Sequence, residues 1–151
     1  MTPALLILWL HLLSAVVWVG GLVYQTHVLL PPARRGGAAA VAEMLQRGRL
    51  VTWTAVALSV LTGFYNVTRL GPLDRVMESG AALTLALKFM LVLAAVAIAG
   101  QRDFAQVPRL ARALGHGDDP RPALSAIAWM DRIVLLLAAV IVFLGLAISR
   151  R

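Results

Sequence analysis

The sequence has no cysteine, a single lysine and few charged side chains, and each shortage excludes a class of protein. Only 14% of its 151 residues are Asp, Glu, Lys or Arg, and three are histidine. Without cysteine there is no disulfide scaffold, thiolate zinc site, iron–sulfur cluster or cysteine nucleophile. A soluble domain carries about 25% charged residues. The composition therefore disfavours a soluble hydrolase or a nucleotide-binding domain.

Apolar sequence is abundant instead, with 60% hydrophobic residues and a mean hydropathy of +0.83. A helix that crosses a bilayer needs about 20 apolar residues. Four stretches reach about this length, over residues 4–30, 50–67, 81–100 and 123–148. They lack the alternation of polar and apolar residues that a membrane β-strand shows. The sequence predicts an all-α protein with one domain over residues 1–151, a four-transmembrane-helix bundle in the lipid bilayer.

The arginines divide unevenly between the two sides of this bundle. The connections after the first and third stretches carry eight: Arg34, Arg35, Arg47, Arg49, Arg102, Arg109, Arg112 and Arg121. The opposite side carries four: Arg69, Arg75, Arg150 and Arg151. The positive-inside rule then places both termini outside the bacterial cytoplasmic (inner) membrane. We also expect short amphipathic helices at residues 38–49 and 104–114 in the cytoplasmic loops. The basic residues are interpreted as topology and lipid signals, so no nucleic acid partner is expected.

Two ionisable residues lie inside the apolar stretches, and such residues are functional candidates by default. Counted from residues 4 and 81, His11 and Lys88 occupy the same helical position, about 10 Å below the outer edge at 1.5 Å per residue. Asp131 and Arg132, at the start of the last stretch, are expected to form a local ion pair. The alternatives for the first two are an interhelical hydrogen bond for His11 and a Lys88 side chain that reaches the membrane surface.

The His11 face of the first helix is polar or small, and the second helix has a similar face. A bundle core lined in this way is a usual place for a cofactor. Imidazole is a common axial haem ligand, and glycines leave room for a flat macrocycle. We therefore predict a haem b site with His11 as axial ligand and Lys88 as second ligand or propionate partner. The residues expected to line it are Ser14, Trp18, Gly21 and Gly63. Copper is the alternative metal, although the five methionines form no tight motif.

The run from His11 to Tyr24, HLLSAVVWVGGLVY, resembles the first helix of two related membrane families. These are the copper-resistance protein D (CopD) family and the HemJ-type membrane protoporphyrinogen oxidase family. The Thr62-Gly63 pair and the run that starts Leu87-Lys88 resemble their second and third helices. The HemJ resemblance implies that His11 and Lys88 are associated with b-type haem. The CopD resemblance, stronger in the Trp-Val-Gly-Gly sequence, implies copper handling.

Three functions remain open from the sequence. The first is a haem-b-binding redox protein that transfers electrons to a respiratory-chain or quinone partner; if it is an enzyme, it is an oxidoreductase of the HemJ type. The second is a copper-handling or copper-transport membrane protein, with His11 as a metal ligand. The third is a structural accessory subunit whose polar faces only specify helix packing or docking, including docking into a homo-oligomer.

Overall fold

The computed structural model describes residues 2–69 and 81–149, and this part of the chain is helical almost throughout, with no strand. The five helices are α1 (Pro3–Tyr24), α2 (Ala38–Thr68), α3 (Ala81–Gln101), α4 (Val107–His116) and α5 (Arg121–Ser149). Three π-helical segments join them: Gln25–Leu29, Ala33–Gly37 and Arg102–Gln106. A short α-helical turn, Leu30–Pro32, separates the first two π segments. The all-α prediction is confirmed for the described residues.

The described residues contain three helical stretches long and apolar enough to cross a membrane, not the predicted four. They are Pro3–Thr68, Ala82–His116 and Arg121–Ala147. The difference arises because only π segments, one short turn and the non-helical residue Gly36 separate α1 from α2, so that the two helices together form one stretch of 66 residues. Within it, Gly36 has a φ of 112°, a conformation that glycine adopts at little cost. The chain reverses there, and α1 and α2 lie side by side.

Two helix boundaries differ from the sequence prediction. The expected amphipathic helix at residues 38–49 is the first part of α2, because the Arg47-Gly48-Arg49 sequence does not interrupt the helix. Arg47 instead pairs with Glu43 one turn earlier, and Arg49 stacks over the Phe104 ring at 5.4 Å. The expected helix at residues 104–114 corresponds to α4, which ends at Gly117 in the left-handed conformation (φ 75°).

Two apolar clusters hold the helices together. The middle cluster joins α1, α2, α3 and α5 through Trp18, Leu22, Ala55, Val56, Ala95, Ala99 and Val134. The end cluster packs α4 against the chain reversal and the first part of α5. It contains Leu30, Ala33, Ala38, Val41, Ala42, Leu45, Val107, Leu110, Ala123, Leu124, Ile127 and Ala128. Small residues at both clusters allow the helices to approach closely. Large apolar side chains outside them, among them Leu12, Val16, Leu83 and Phe143, are exposed, as expected for a surface that faces lipid.

Candidate functional site

His11 on α1 is held against α2 by its ring. Its Nδ1 atom lies 2.9 Å from the Ser59 carbonyl oxygen and 3.1 Å from the Thr62 hydroxyl oxygen. A carbonyl oxygen only accepts, so Nδ1–H is the donor. The Thr62 hydroxyl gives its own proton to the Leu58 carbonyl oxygen at 2.5 Å, which leaves its oxygen as a second acceptor for the imidazole. The local backbone of α2 thus fixes both the orientation and the tautomer of His11.

This tautomer leaves the Nε2 atom of the neutral ring with a free lone pair. Histidines that bind metals usually donate their other ring N–H to a carbonyl or carboxylate, which orients the ring and makes it a better ligand. His11 has that arrangement, with a backbone carbonyl as the acceptor. The structure brings His11 and Gly63 together: a Cβ atom at Gly63 would lie 3.0 Å from the His11 Cε1 atom. Gly63 is therefore the position that lets the imidazole lie on α2.

Lys88 on α3 points towards α5. Its Nζ atom lies 3.2 Å from the position that a Cβ atom at Gly145 would occupy. No carboxylate is paired with Lys88 within residues 2–69 and 81–149. We call the group formed by His11, Ser59, Thr62, Gly63 and Lys88 the histidine end of the bundle.

The other predicted site residues lie along α1. Ser14 is buried, and its hydroxyl donates to the His11 carbonyl oxygen at 2.9 Å. Trp18 is buried in the middle apolar cluster, and its Nε1–H has no hydrogen-bond partner among the described residues. Gly21 faces open space, with no side-chain or neighbouring backbone atom within 4 Å of its Cβ position. The structure thus places Ser14 and Gly63 next to His11, whereas Gly21 has no neighbouring residue at its Cβ position.

These residues fit a haem poorly. The predicted macrocycle needs the faces of Gly21 and Gly63, and the His11 imidazole itself covers Gly63. Trp18 fills the adjacent space among α1, α2, α3 and α5. No group of three His, Cys, Asp or Glu side chains in the described ranges is close enough to hold a metal ion. The space around His11 thus gives the haem prediction no support, and the imidazole Nε2 is the available metal ligand at the histidine end.

A second polar group lies at the opposite end of the bundle, and we call it the arginine cluster. Its members come from α2, α5 and the π segments that follow α1 and α3: Gln25, Trp53, Arg102, Asp103 and Asp131. Arg102 Nη1 donates to Gln25 Oε1 at 2.5 Å and to Asp131 Oδ1 at 2.6 Å. Its Nε donates to Asp103 Oδ1 at 2.9 Å, and Trp53 Nε1 donates to Asp103 Oδ2 at 2.8 Å.

The arginine cluster is buried and contains one guanidinium group for two carboxyl groups. Arg102 is 2% exposed, Asp103 2% and Asp131 1%. One guanidinium faces two carboxylates, and Asp131 Oδ2 has no partner among the described residues. The expected ion pair between Asp131 and Arg132 is wrong, because Asp131 points into the bundle to Arg102 while Arg132 is exposed.

Sequence reasoning missed Arg102 and Asp103 as members of a buried site. Arg102 counted only as a topology signal, and Asp103 was not singled out. The signal that could have found them is an Arg-Asp pair directly after one apolar stretch and an Asp at the start of another. Ionisable groups near membrane depth normally pair with one another. The orphaned carboxylate and the three π segments left no sequence signal.

The comparison with protein families decides the relationship. The family model described as copper resistance protein D matches residues 42–148. The chain belongs to the CopD family. The match covers Gly63, Lys88 and the arginine cluster apart from Gln25, and it begins after α1. His11 and the Trp-Val-Gly-Gly sequence therefore lie outside the matched part. The HemJ-type resemblance remains a prediction.

Membership of the CopD family agrees with the membrane character of the helices. The family consists of membrane proteins, and the three apolar stretches have the length and composition to associate with a bilayer. Neither a curated protein nor a solved structure matches the chain. Residue roles in this CopD protein are consequently argued from its own geometry.

Proposed function

We propose that this CopD protein handles copper as a cargo ion in the membrane, and that His11 binds the ion during its passage. One observation carries the proposal: the Ser59 carbonyl accepts the Nδ1–H of His11, so that Nε2 keeps a free lone pair. The family description, copper resistance, supplies the identity of the metal. An imidazole nitrogen is a suitable ligand for copper.

The surroundings of His11 favour weak and reversible binding. In this proposal Lys88 lies at the depth of His11, as the residue count from the helix starts predicts, so its positive charge opposes a copper ion bound there. Cargo must bind well enough to enter a pathway and weakly enough to leave it. The loss of a proton from Lys88 would relieve the repulsion and make its amine a further ligand. His11 therefore acts as the ligand and Lys88 as the group that limits the lifetime of the bound ion.

The proposal includes four crossings of the bacterial inner membrane. A 66-residue helical stretch measures about 100 Å at 1.5 Å per residue, whereas the hydrocarbon core is about 30 Å thick. The stretch therefore crosses twice, with its reversal at Gly36. Arg34, Arg35, Arg102 and Arg109 then share one side, which the positive-inside rule makes cytoplasmic, and both termini lie outside. Arg75, Arg150 and Arg151, used in the charge count for the other side, lie outside the described residues.

Copper content of cells tests the proposal. A strain that lacks this protein would express the wild type, His11→Ala or the matched control His27→Ala, all at equal membrane levels. His27 is exposed and its Nδ1 bonds within its own helix to the Val23 carbonyl oxygen. We expect cell-associated copper and copper tolerance to differ between the empty strain and the wild type, and His11→Ala to behave like the empty strain. Wild-type behaviour of His11→Ala would overturn the proposal.

A haem b redox protein is the second candidate, because the same oriented imidazole is what a haem iron requires. An optical spectrum of the purified protein, oxidised and reduced, separates the two candidates. A Soret band that disappears in His11→Ala would favour the haem hypothesis. A featureless spectrum of the wild type after expression with haem supply would exclude that hypothesis. Normal copper handling by a His11→Ala, Lys88→Ala double variant would instead favour the purely structural role.

A further inference from the structure

A groove with three arginines opens beside the chain reversal, away from the histidine end. Its volume is about 260 Å³. Its walls come from the first two π segments, the turn between them and α5, and they consist of Thr26, Leu30, Pro31, Arg34, Arg35, Ala128 and Arg132. π-Helical insertions occur frequently at functional sites. Here they widen the backbone at the place where α1 ends and the chain turns.

The charge of the groove is not balanced by its own walls. Arg34, Arg35 and Arg132 line it, and none of its lining residues is acidic. Asp131, the sequence neighbour of Arg132, is turned into the bundle and bonded to Arg102. In the ranges 2–69 and 81–149, the ion pairs involve Arg47 and Arg102 rather than these three arginines. Planar guanidinium groups bind phosphate oxygens in a bidentate way, so the groove is built for a phosphate-bearing anion.

The rest of the groove is apolar. Leu30, Pro31 and Ala128 supply the apolar part of the lining, and the Thr26 hydroxyl donates to the Leu22 carbonyl oxygen at 2.8 Å. A free phosphate ion gains nothing from an apolar wall, whereas the glycerol and the first acyl carbons of a lipid do. The groove also lies at the end of the apolar helices, where the headgroup region begins. The composition therefore favours an amphiphile over a soluble anion.

We propose that this groove binds the phosphodiester headgroup of an anionic glycerophospholipid. Basic pockets between transmembrane helices on the cytoplasmic side commonly take such headgroups. The proposal shares the membrane placement with the proposed function and is independent of copper. Lipid bound here would hold the π segments and α5 together at the reversal, next to the arginine cluster.

A second groove on the same protein provides the matched control. Its volume is about 390 Å³, and its lining contains two arginines, Arg109 and Arg112. Unlike the first groove, it contains two carboxylates, Asp118 and Asp119, in its lining. Its charge is therefore largely balanced, and it should have little preference for an anionic lipid. One Arg→Gln substitution in each groove therefore removes the same charge, in one case from a groove without carboxylates and in the other from a groove with two.

The test is native mass spectrometry of the delipidated full-length protein with phosphatidylglycerol or phosphatidylcholine of identical acyl chains. The variants are Arg132→Gln, Arg132→Lys, Arg34→Gln and the control Arg109→Gln. A variant is used only if its helicity, measured by circular dichroism, equals that of the wild type. We expect the wild type to retain phosphatidylglycerol over phosphatidylcholine. Each groove arginine removed should weaken that retention about fivefold, as for one charge near an anionic surface. Arg132→Lys should lose less, and Arg109→Gln should match the wild type.

Three outcomes would overturn the proposal. Wild-type retention of phosphatidylglycerol by Arg132→Gln would exclude the groove as the site. An equal loss in Arg109→Gln would reduce the effect to general surface charge. Displacement of the lipid by inorganic phosphate at the same concentration would assign the groove to a soluble anion instead. Because His11→Ala should bind lipid like the wild type, failure of this proposal and failure of the copper proposal are distinguishable.

Discussion

The two polar groups of this bundle differ in how fully they are paired. At the arginine cluster, Arg102 bonds to three side chains from three elements, and Trp53 adds a bond from a fourth. At the histidine end, His11 is held on one side only, and Lys88 faces a glycine position on α5 without a paired carboxylate in the described residues. A network that bonds side chains from several helices to one another holds the helices together, whereas a group bonded on one side only has atoms to offer a ligand. We therefore expect substitutions to affect stability at one end and function at the other.

The largest effect should come from Arg102→Ala. The substitution leaves Asp103 and Asp131 buried without their cation, and breaking a buried ion pair in this way costs about 3–5 kcal/mol. Thermal unfolding in detergent, followed by circular dichroism, measures the loss. Arg109→Ala is the control, because Arg109 is exposed and no ion pair involves it in the described ranges. Equal stability of the two variants would contradict the structural role of the cluster.

A smaller loss is expected for Trp53→Phe. The ring remains available to pack against Phe104, with centroids 5.4 Å apart, but the hydrogen bond to Asp103 Oδ2 is lost. A hydrogen bond to a charged group contributes about 1.5–3 kcal/mol. The matched control is Trp129→Phe, since Trp129 is exposed. If both variants unfold at the same temperature, the indole bond does not support the cluster.

Gly63→Ala tests the histidine end of the bundle, where we expect a loss of function together with a moderate loss of stability. The new methyl group would meet the His11 ring at 3.0 Å, so the imidazole must move away from the Ser59 carbonyl. Inserting a methyl group into packed space of this kind costs about 1–3 kcal/mol. Cell-associated copper should shift from the wild-type level towards the His11→Ala level. Gly21→Ala, with open space at its Cβ position, should keep both stability and copper handling.

The smallest effect on stability is expected for Lys88→Met. Lys88 has no paired carboxylate in the described residues, and a charged group inside a membrane segment costs about 2.5–3.5 kcal/mol. Removing the charge should therefore leave the unfolding temperature unchanged or raise it. Copper release should slow at the same time, because the repulsive charge next to His11 is gone. A clear loss of stability would show that Lys88 has a structural partner.

The sequence predicted the histidine end better than the arginine cluster, and the reason is the range of the interactions. Helical periodicity relates residues a few turns apart, so it correctly put Ser14 and Trp18 on the buried side of α1. The equal depth of His11 and Lys88 stays a prediction, and the structure has His11 against α2 and Lys88 towards α5. The arginine cluster depends on contacts between distant positions and on π segments that shift the helix faces, neither of which periodicity reveals.

The helix count failed for a related physical reason. Hydropathy separates apolar stretches wherever charges intervene, whereas helical hydrogen bonding can continue through a charged segment at a membrane edge. Arg34 and Arg35 divide the first two stretches in the sequence, but a π segment carries the helix through them as far as the conformational break at Gly36. The apolar pattern thus identified the stretches with the length and composition of membrane spans, and backbone geometry decided where the helices end.

The most direct test of the central claim is copper X-ray absorption on the purified wild type and on His11→Ala, His27→Ala and His116→Ala. These are the three histidines of the chain, so the affinity tag must contain none. The account predicts that bound copper shows imidazole scattering, that His11→Ala loses the ion, and that the other two variants keep it. Copper bound to His11→Ala with unchanged imidazole scattering would contradict the account, because the ligand would then be another histidine.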